Sequence, residues 1–175
     1  SSLHNVEQEY TRAQLALEAA KKTQQEVAVH TEKLEQARTA HDRAVQAYEI
    51  IQRASITASE EYTRLQKRRL EQVAFTLAEE LDEGQPCMVC GSREHPQPAQ
   101  PSVNGITLVE QSEIDAAAKR AHREQQKASA AATSVAQTQT VLDQLNESHM
   151  PDSQEAQRQV AEAQNVYNQT QESLE

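Results

Sequence analysis

Before Gly84 the chain contains neither glycine nor proline, and its apolar residues recur at alternating steps of three and four. This spacing is a heptad repeat, which predicts a long helix that buries one narrow stripe against another helix. A helix of this length is unstable when isolated in water, so the stripe needs a partner along its length. The stripe comprises Leu3, Val6, Tyr10, Ala13, Leu17, Ala20, Val27, Leu34, Ala37, Ala44, Tyr48, Ile51, Ala58, Tyr62 and Leu65, with Gln24, His41 and Ser55 at polar positions of the same repeat.

The C-terminal part of the chain carries a second stripe with the same spacing. It runs from Ile114 to Leu145 and resumes at Ala156, and Pro151 interrupts it because proline lacks the backbone N–H of a helix interior. The two stripes predict an all-α fold, a long antiparallel coiled-coil hairpin. Its parts are an ascending helix over residues 3–83, an apex turn over 84–111 and a descending helix over 112–175, kinked or broken near 146–153.

The composition favours slender helices over a thick globular core. Only 37% of the residues are hydrophobic and 3% are aromatic, with no tryptophan. The formal net charge of −10 argues against a surface that binds a phosphate backbone, and the basic cluster Lys67-Arg68-Arg69 is interpreted as a solvated helix face. The sequence has no apolar run long enough to cross a bilayer and no leader, so no membrane partner is predicted.

Cys87 and Cys90 are the only two cysteines, and they lie in the predicted turn. Such a pair suits a reducing compartment such as the cytoplasm and can bind a metal, but two sulfur atoms fill only half of a tetrahedral zinc shell. Gly91 follows the second cysteine, where metal-binding turns adopt a backbone conformation that a side chain hinders. Pro86 stops the preceding helix. The sequence therefore predicts half of a metal site.

The histidines leave the other half of this site undecided. His95 follows Cys90 at a spacing used in zinc modules, so it is either a third ligand or a residue that packs beside the site. His122 lies about 15 Å along the next helix and is too far away to complete the shell. His30 and His41 belong to no coherent ligand set and are interpreted as polar helix positions.

The repeat also predicts local packing. The stripe slips in phase between Val27 and Ala37, and Pro151 is predicted to lie opposite residues 42–44, so that the two irregularities form one elbow. Asn104-Gly105 is a signal for a tight hairpin turn. The end of the ascending helix is predicted to pack more firmly than its shaft, through Leu70, Val73, Ala74, Leu77, Ala78 and Leu81.

The turn sequence from Gly84 to Pro96, Gly-Gln-Pro-Cys-Met-Val-Cys-Gly-Ser-Arg-Glu-His-Pro, resembles the zinc hook of the SbcC-type ATPases. These are the ATPase subunits of the SbcCD nuclease, in the double-strand-break repair family. The arms share with that family only their coiled-coil character. The family usually has proline after the first cysteine, where this chain has Met88, so the turn is expected to be less rigid with both ligands in place.

The resemblance implies a homodimer in which Cys87 and Cys90 of each chain bind one shared Zn²⁺ and join two coiled-coil arms tip to tip. Ligand counting agrees, because a two-fold axis through the metal supplies the two missing thiolates. The resemblance also implies a cytoplasmic, nucleoid-associated parent protein whose ATPase parts bind the nuclease subunit and DNA. This segment itself is expected not to be an enzyme, since it has no phosphate-binding loop. Its ends, at Leu3 and Leu174, fall within the repeat, which is typical of an internal segment of a longer chain.

Two other functions remain open at this point. A Cys-x-x-Cys pair can cycle between dithiol and disulfide, although redox catalysts usually place the attacking cysteine at a helix N-terminus within a βαβ fold. The chain is alternatively a plain coiled-coil spacer whose cysteines are incidental.

Overall fold

The computed structural model describes residues 2–101 and 108–174, and these residues form three α-helices and no strand. Helix α1 spans Ser2–Glu79, α2 spans Gln111–Asn146 and α3 spans Ser153–Glu172. The all-α prediction is confirmed for this part of the chain. The turn predicted at Asn104-Gly105 lies outside the described residues. Within the described ranges, none of the helices combines the length and the apolar character needed to span a membrane.

The chain divides into two compact units. The first unit combines the residues up to Val45 with those from Ser134 onward, and the second unit is Gln46–Thr133. Side chains of α1 contribute to both units, so the apolar stripe is described separately in each of them.

In the first unit, α1 contacts α2 and α3 through positions of the predicted stripes. Tyr10 and Tyr167 share a hydrogen bond of 2.9 Å between their hydroxyls, and His41 Nδ1 lies 3.1 Å from Thr138 Oγ1. Residues later in α1 therefore contact residues earlier in the chain of α2 and α3: His41 contacts Thr138, whereas Tyr10 contacts Tyr167. The fully buried apolar residues of this unit all belong to the predicted stripes: Ala13, Leu17, Val27, Leu142 and Ala156.

The second stripe is interrupted where the sequence predicts a break. After α2 ends at Asn146, Asp152 caps α3 by accepting a 2.7 Å hydrogen bond from the backbone N–H of Glu155 to its Oδ1. A carboxylate at this position satisfies one of the unpaired N–H groups of the first helical turn. The interruption is therefore a helix end followed by a separately capped helix.

The predicted register of this break is wrong. Ser148 Oγ lies 3.1 Å from His30 Nε2, so the segment before Pro151 lies opposite residues near 30 rather than 42–44. The prediction assumed that the chain reverses at the midpoint of residues 84–111. Instead, Val109 already contacts Arg69 of α1, so the return segment runs beside α1 before it becomes helical. The break still faces the phase slip, because His30 lies between Val27 and Ala37.

In the second unit, the best-buried large side chain is Val109, just before α2. Only 2% of its surface is exposed, and it packs with Leu65, Ile114 and Ala117. Its backbone is bound on both sides by α1: Arg69 Nη1 donates to the Val109 carbonyl at 3.0 Å, and the Val109 N–H donates to Gln72 Oε1 at 3.1 Å. The interpretation of Lys67-Arg68-Arg69 as a solvated helix face is therefore wrong for Arg69, which is half-buried and anchors the return segment.

The end of α1 is not packed more firmly than its shaft, contrary to prediction. Leu70 is 69% exposed, and Val73 and Leu77 are also exposed. Among the described residues, the stripe of buried residues on α1 stops at Leu65, and Val109 hydrogen-bonds to α1 at Arg69 and Gln72. The apolar residues at the end of α1 therefore remain accessible near the turn.

Candidate metal site

The chain leaves α1 through a turn that ends the helix before the cysteines. Helix α1 ends at Glu79, earlier than the predicted residue 83, and the Gln85 N–H donates to the Asp82 carbonyl at 3.2 Å. Gly84 has φ of 75°, a left-handed conformation that glycine adopts without the strain that a Cβ introduces. The chain is thereby redirected, and Cys87 follows outside the helix.

The two cysteines lie in a turn closed by reciprocal backbone hydrogen bonds. The Gly91 N–H donates to the Cys87 carbonyl, and the Cys87 N–H donates to the Ser92 carbonyl, both at 2.8 Å. Gly91 has φ of 74°, and a Cβ placed on it would meet no atom within 4 Å. Its glycine is therefore required by backbone conformation and not by crowding. This agrees with the role predicted for the residue that follows the second cysteine.

Backbone amides within this turn point at the first sulfur atom. The Val89 N–H donates to Cys87 Sγ at 3.4 Å. Hydrogen bonds from the backbone of Cys90 and then of Val89 lower the pKa of the Cys87 thiol, against an opposing effect of partial burial, and the Cys90 side chain adds to the lowering. The turn thus favours the thiolate, which is the form that binds a metal.

His95 lies beside the two cysteines in the structure. The sequence alone left open whether it could act as a third ligand. Its Nε2 lies 3.4 Å from Cys90 Sγ. A tight turn precedes it: Ser92 Oγ donates to the Glu94 carbonyl at 2.9 Å and accepts from the Glu94 N–H at 3.3 Å. This local hydrogen bonding reverses the chain within a few residues and explains how His95 reaches Cys90 from the next segment.

The three side chains form a set of donors that fits a zinc ion. Ligand atoms of Cys87, Cys90 and His95 all lie within 4.8 Å of one another. Sulfur and nitrogen bound to one tetrahedral zinc are about 3.6 Å apart, close to the distance seen between Cys90 and His95. In the described part of the chain, this is the group of three or more potential ligands that could hold a metal, and it supplies three donors where zinc takes four.

The site is open on the side of Cys90 and partly covered on the side of Cys87. Cys87 is half-buried in a cleft of about 160 Å³ that is lined by Leu77 of α1 and by Leu81 just after the helix. Cys90 is exposed, and between the two cysteines Met88 is 90% exposed and Val89 is 70% exposed. Both cysteines are free thiols. A second molecule therefore has access to the sulfur atoms.

The remaining histidines named in the sequence have other contacts. His122 hydrogen-bonds with Gln126 one turn further along α2, as expected for a surface residue of a helix. His30 and His41 contact Ser148 and Thr138 across the first unit. None of the three belongs to the group formed by Cys87, Cys90 and His95.

Comparison with protein-family models, with curated proteins and with solved structures found no match to this chain. Function is therefore inferred from the chemistry and geometry of the site. A soft donor set of two sulfur atoms and one nitrogen suits zinc, and one further ligand completes a four-coordinate shell.

Proposed function

We propose that this chain is a metal-dependent dimerisation segment, a coiled-coil hairpin whose turn binds one Zn²⁺ together with a second copy. Cys87 and Cys90 of each copy supply the four thiolates. The observation that carries the proposal is an incomplete ligand set at an exposed turn. A structural zinc site is normally closed by four protein ligands, and the described part of this chain brings three donors together.

The surface around the cysteines supports a protein partner. Met88 and Val89 leave large apolar side chains exposed within the turn itself, and Leu77 is exposed beside it. Exposed apolar side chains around free metal ligands are typical of a protein interface. A second copy brings the same residues and the same number of thiolates, so a two-fold arrangement satisfies the metal and covers the apolar groups together.

The cellular role proposed for this segment follows from the resemblance of residues 84–96 to the SbcC-type zinc hook. The chain would hold two DNA-processing ATPase heads together in a cytoplasmic, nucleoid-associated repair complex. Contacts with the nuclease subunit and with DNA would belong to other parts of the parent protein. This role is supported by burial, because stripe residues are buried within each unit whereas none of residues 84–96 is buried.

A thiol–disulfide function is the second candidate, and one observation favours it. The pKa of the Cys87 thiol is lowered, and reactive cysteines usually have a lowered pKa. However, Cys87 lies in a turn between α1 and α2 and not at the N-terminus of a helix. The bound thiolate of a zinc site has the same requirement for a low pKa, so the observation is explained equally well by metal binding.

The proposal is tested by measuring mass and zinc content together. We expect a dimer that contains about half a zinc per chain and dissociates when a strong chelator is added, because the shared site needs the metal. The double variant Cys87→Ser, Cys90→Ser should remain monomeric at every zinc concentration with unchanged helical circular dichroism. His122→Ala, which removes a histidine outside the site, is the matched control and should dimerise like the original chain.

Two results would contradict this function. A dimer of the double cysteine variant would show that the helices associate without the site, as in a plain spacer. A monomer that becomes a Cys87–Cys90 disulfide under mild oxidation and reacts reversibly with dithiols, without binding zinc, would favour the redox function instead.

A further inference from the structure

With His95 included, two chains offer more ligands than one shared zinc site can use. Each chain offers two sulfur atoms and one imidazole nitrogen within 4.8 Å. Two copies then bring six donors to a metal that takes four. If the four thiolates form the shared site, both histidines are displaced. If one chain binds the metal alone, His95 occupies a position that a second copy would need.

We propose that His95 is an exchangeable third ligand. A single chain binds Zn²⁺ through Cys87, Cys90 and His95, and the cysteine pair of a second copy takes the place of His95 when the chains meet. This inference rests on the proposed function, since the displacement requires a shared site.

The geometry of the turn makes His95 the ligand that can leave. Cys87 is held by two backbone hydrogen bonds, to Gly91 and to Ser92, and its sulfur accepts a further bond from Val89. His95 lies beyond this closed turn and meets it through Cys90 Sγ. Movement of the imidazole away from Cys90 therefore breaks none of the backbone bonds that hold the two sulfur atoms.

The position of Cys90 explains how a second copy reaches the site. Cys90 is the exposed member of the pair, while Cys87 faces the cleft beside α1. His95 is half-buried and lies beside Cys90, with 3.4 Å between its Nε2 and the exposed sulfur. A cysteine pair that approaches a metal held here competes with this imidazole for a coordination position, and thiolates are the softer ligands that structural zinc sites favour.

Exchange of His95 predicts an unusual dependence of the dimer on zinc. With about half a zinc per chain, pairing is favoured because each metal can be shared. With one or more per chain, each copy can fill its own three positions, and two loaded copies must release one metal before they pair. Excess zinc should therefore dissociate the dimer. A chain without His95 has no such competing state.

The test is sedimentation velocity at a fixed protein concentration, with zinc varied from none to about two per chain. In the original chain the dimer fraction should peak near half a zinc per chain and fall at least about threefold by two. In His95→Ala it should rise to the same maximum and stay there. His122→Ala should follow the original curve. Circular dichroism confirms that helical content is equal, since His95 lies outside the helices.

The outcomes separate the two proposals. Superimposable curves for the original chain and His95→Ala would overturn the exchange and leave the shared site standing. Loss of the dimer in His95→Ala would overturn both the exchange and the site of four thiolates, because pairing would then need the imidazole. If the original chain stays monomeric at every ratio, the shared site fails, and with it the exchange. Zinc affinity measured by competition with a coloured chelator then asks whether His95 binds the metal at all: a loss of about tenfold or more in His95→Ala is the size expected for a lost ligand.

Discussion

Residues 108–110 and residues 84–95 both lie outside the helices of the second unit, but different forces hold them. Val109 is buried in an apolar cluster, and side chains of α1 bind both its N–H and its carbonyl. The cysteine turn is closed by its own backbone hydrogen bonds and exposes Met88 and Val89. Residues 108–110 are therefore stabilised by packing against the helices. Residues 84–95 leave their metal ligands and apolar side chains accessible to a metal ion and a protein partner.

Removal of the metal should produce the largest difference between these two segments, measured as the rate of amide hydrogen exchange. In the structure the amides of Cys87 and Gly91 are hydrogen-bonded within the turn, and the Val109 amide is bonded to Gln72. After a chelator is added, hydrogen exchange should accelerate by about tenfold or more at Cys87 and Gly91, because the metal no longer holds the turn closed. Exchange at Val109 should change by less than about twofold. Equal acceleration at all three amides would show that the metal holds the helices together as well.

Truncation of Val109 should have the opposite effect. Val109→Ala removes two methyl groups from the cluster with Leu65 and Ile114, so the free energy of unfolding should fall by about 2 kcal/mol. Zinc affinity should change by less than about twofold, since the cysteine turn makes its own hydrogen bonds. The matched control is Leu108→Ala at the neighbouring exposed position, with an expected loss under about 0.5 kcal/mol in urea denaturation. A large loss of zinc affinity in Val109→Ala would mean that the two segments are coupled.

Gly84 and Gly91 test how local the cysteine turn is. Gly84 and Gly91 have nearly equal positive φ angles and open space around them, so alanine at either position costs about 1 kcal/mol of backbone strain. Gly91 lies within the closed turn and Gly84 lies before it. Gly91→Ala should weaken zinc binding about fivefold, and Gly84→Ala by less than about twofold. Equal effects in a chelator competition assay would show that strain anywhere in residues 84–95 reaches the site.

The smallest expected effect is the lowered pKa of the Cys87 thiol in the metal-free chain. Backbone N–H donors at Cys90 and Val89 lower the pKa of Cys87, and these donors remain in the variant Cys90→Ser. Thiolate absorbance against pH should give a midpoint for Cys87 below that of an ordinary thiol. Zinc binding should weaken as the pH falls through this midpoint, because protons then compete for the sulfur. A midpoint at or above that of an ordinary thiol would show that the backbone N–H groups do not stabilise the Cys87 thiolate.

The repeat predicted the buried positions of the first unit well, because a helix that packs against a partner buries the residues that recur on one face. The residues that the structure buries in the first unit, from Ala13 to Ala156, are positions of the two stripes. Pro151 likewise predicted the interruption near 146–153, and α2 ends at Asn146. A missing backbone N–H and a regular apolar period act locally, so the sequence carries them directly.

Register and side-chain contacts in the turn were not predictable in the same way. The position opposite Pro151 depends on where the chain reverses, and that is decided by Arg69, Gln72 and Val109, for which the repeat has no signal. The exposure of Leu70 follows from the same shift. His95 was undecided because its approach to Cys90 depends on a serine turn and not on spacing. The heptad repeat therefore could not predict the contacts that non-helical segments make with distant residues.

The central claim is that one metal binds four sulfur atoms from two chains, and X-ray absorption at the zinc edge tests it most directly. With about half a zinc per chain, the shared site predicts four sulfur neighbours at about 2.3 Å and no nitrogen neighbour. A shell of two sulfur atoms with nitrogen or oxygen at about 2.0 Å in the same sample would contradict it, because the metal would then be held by a single chain.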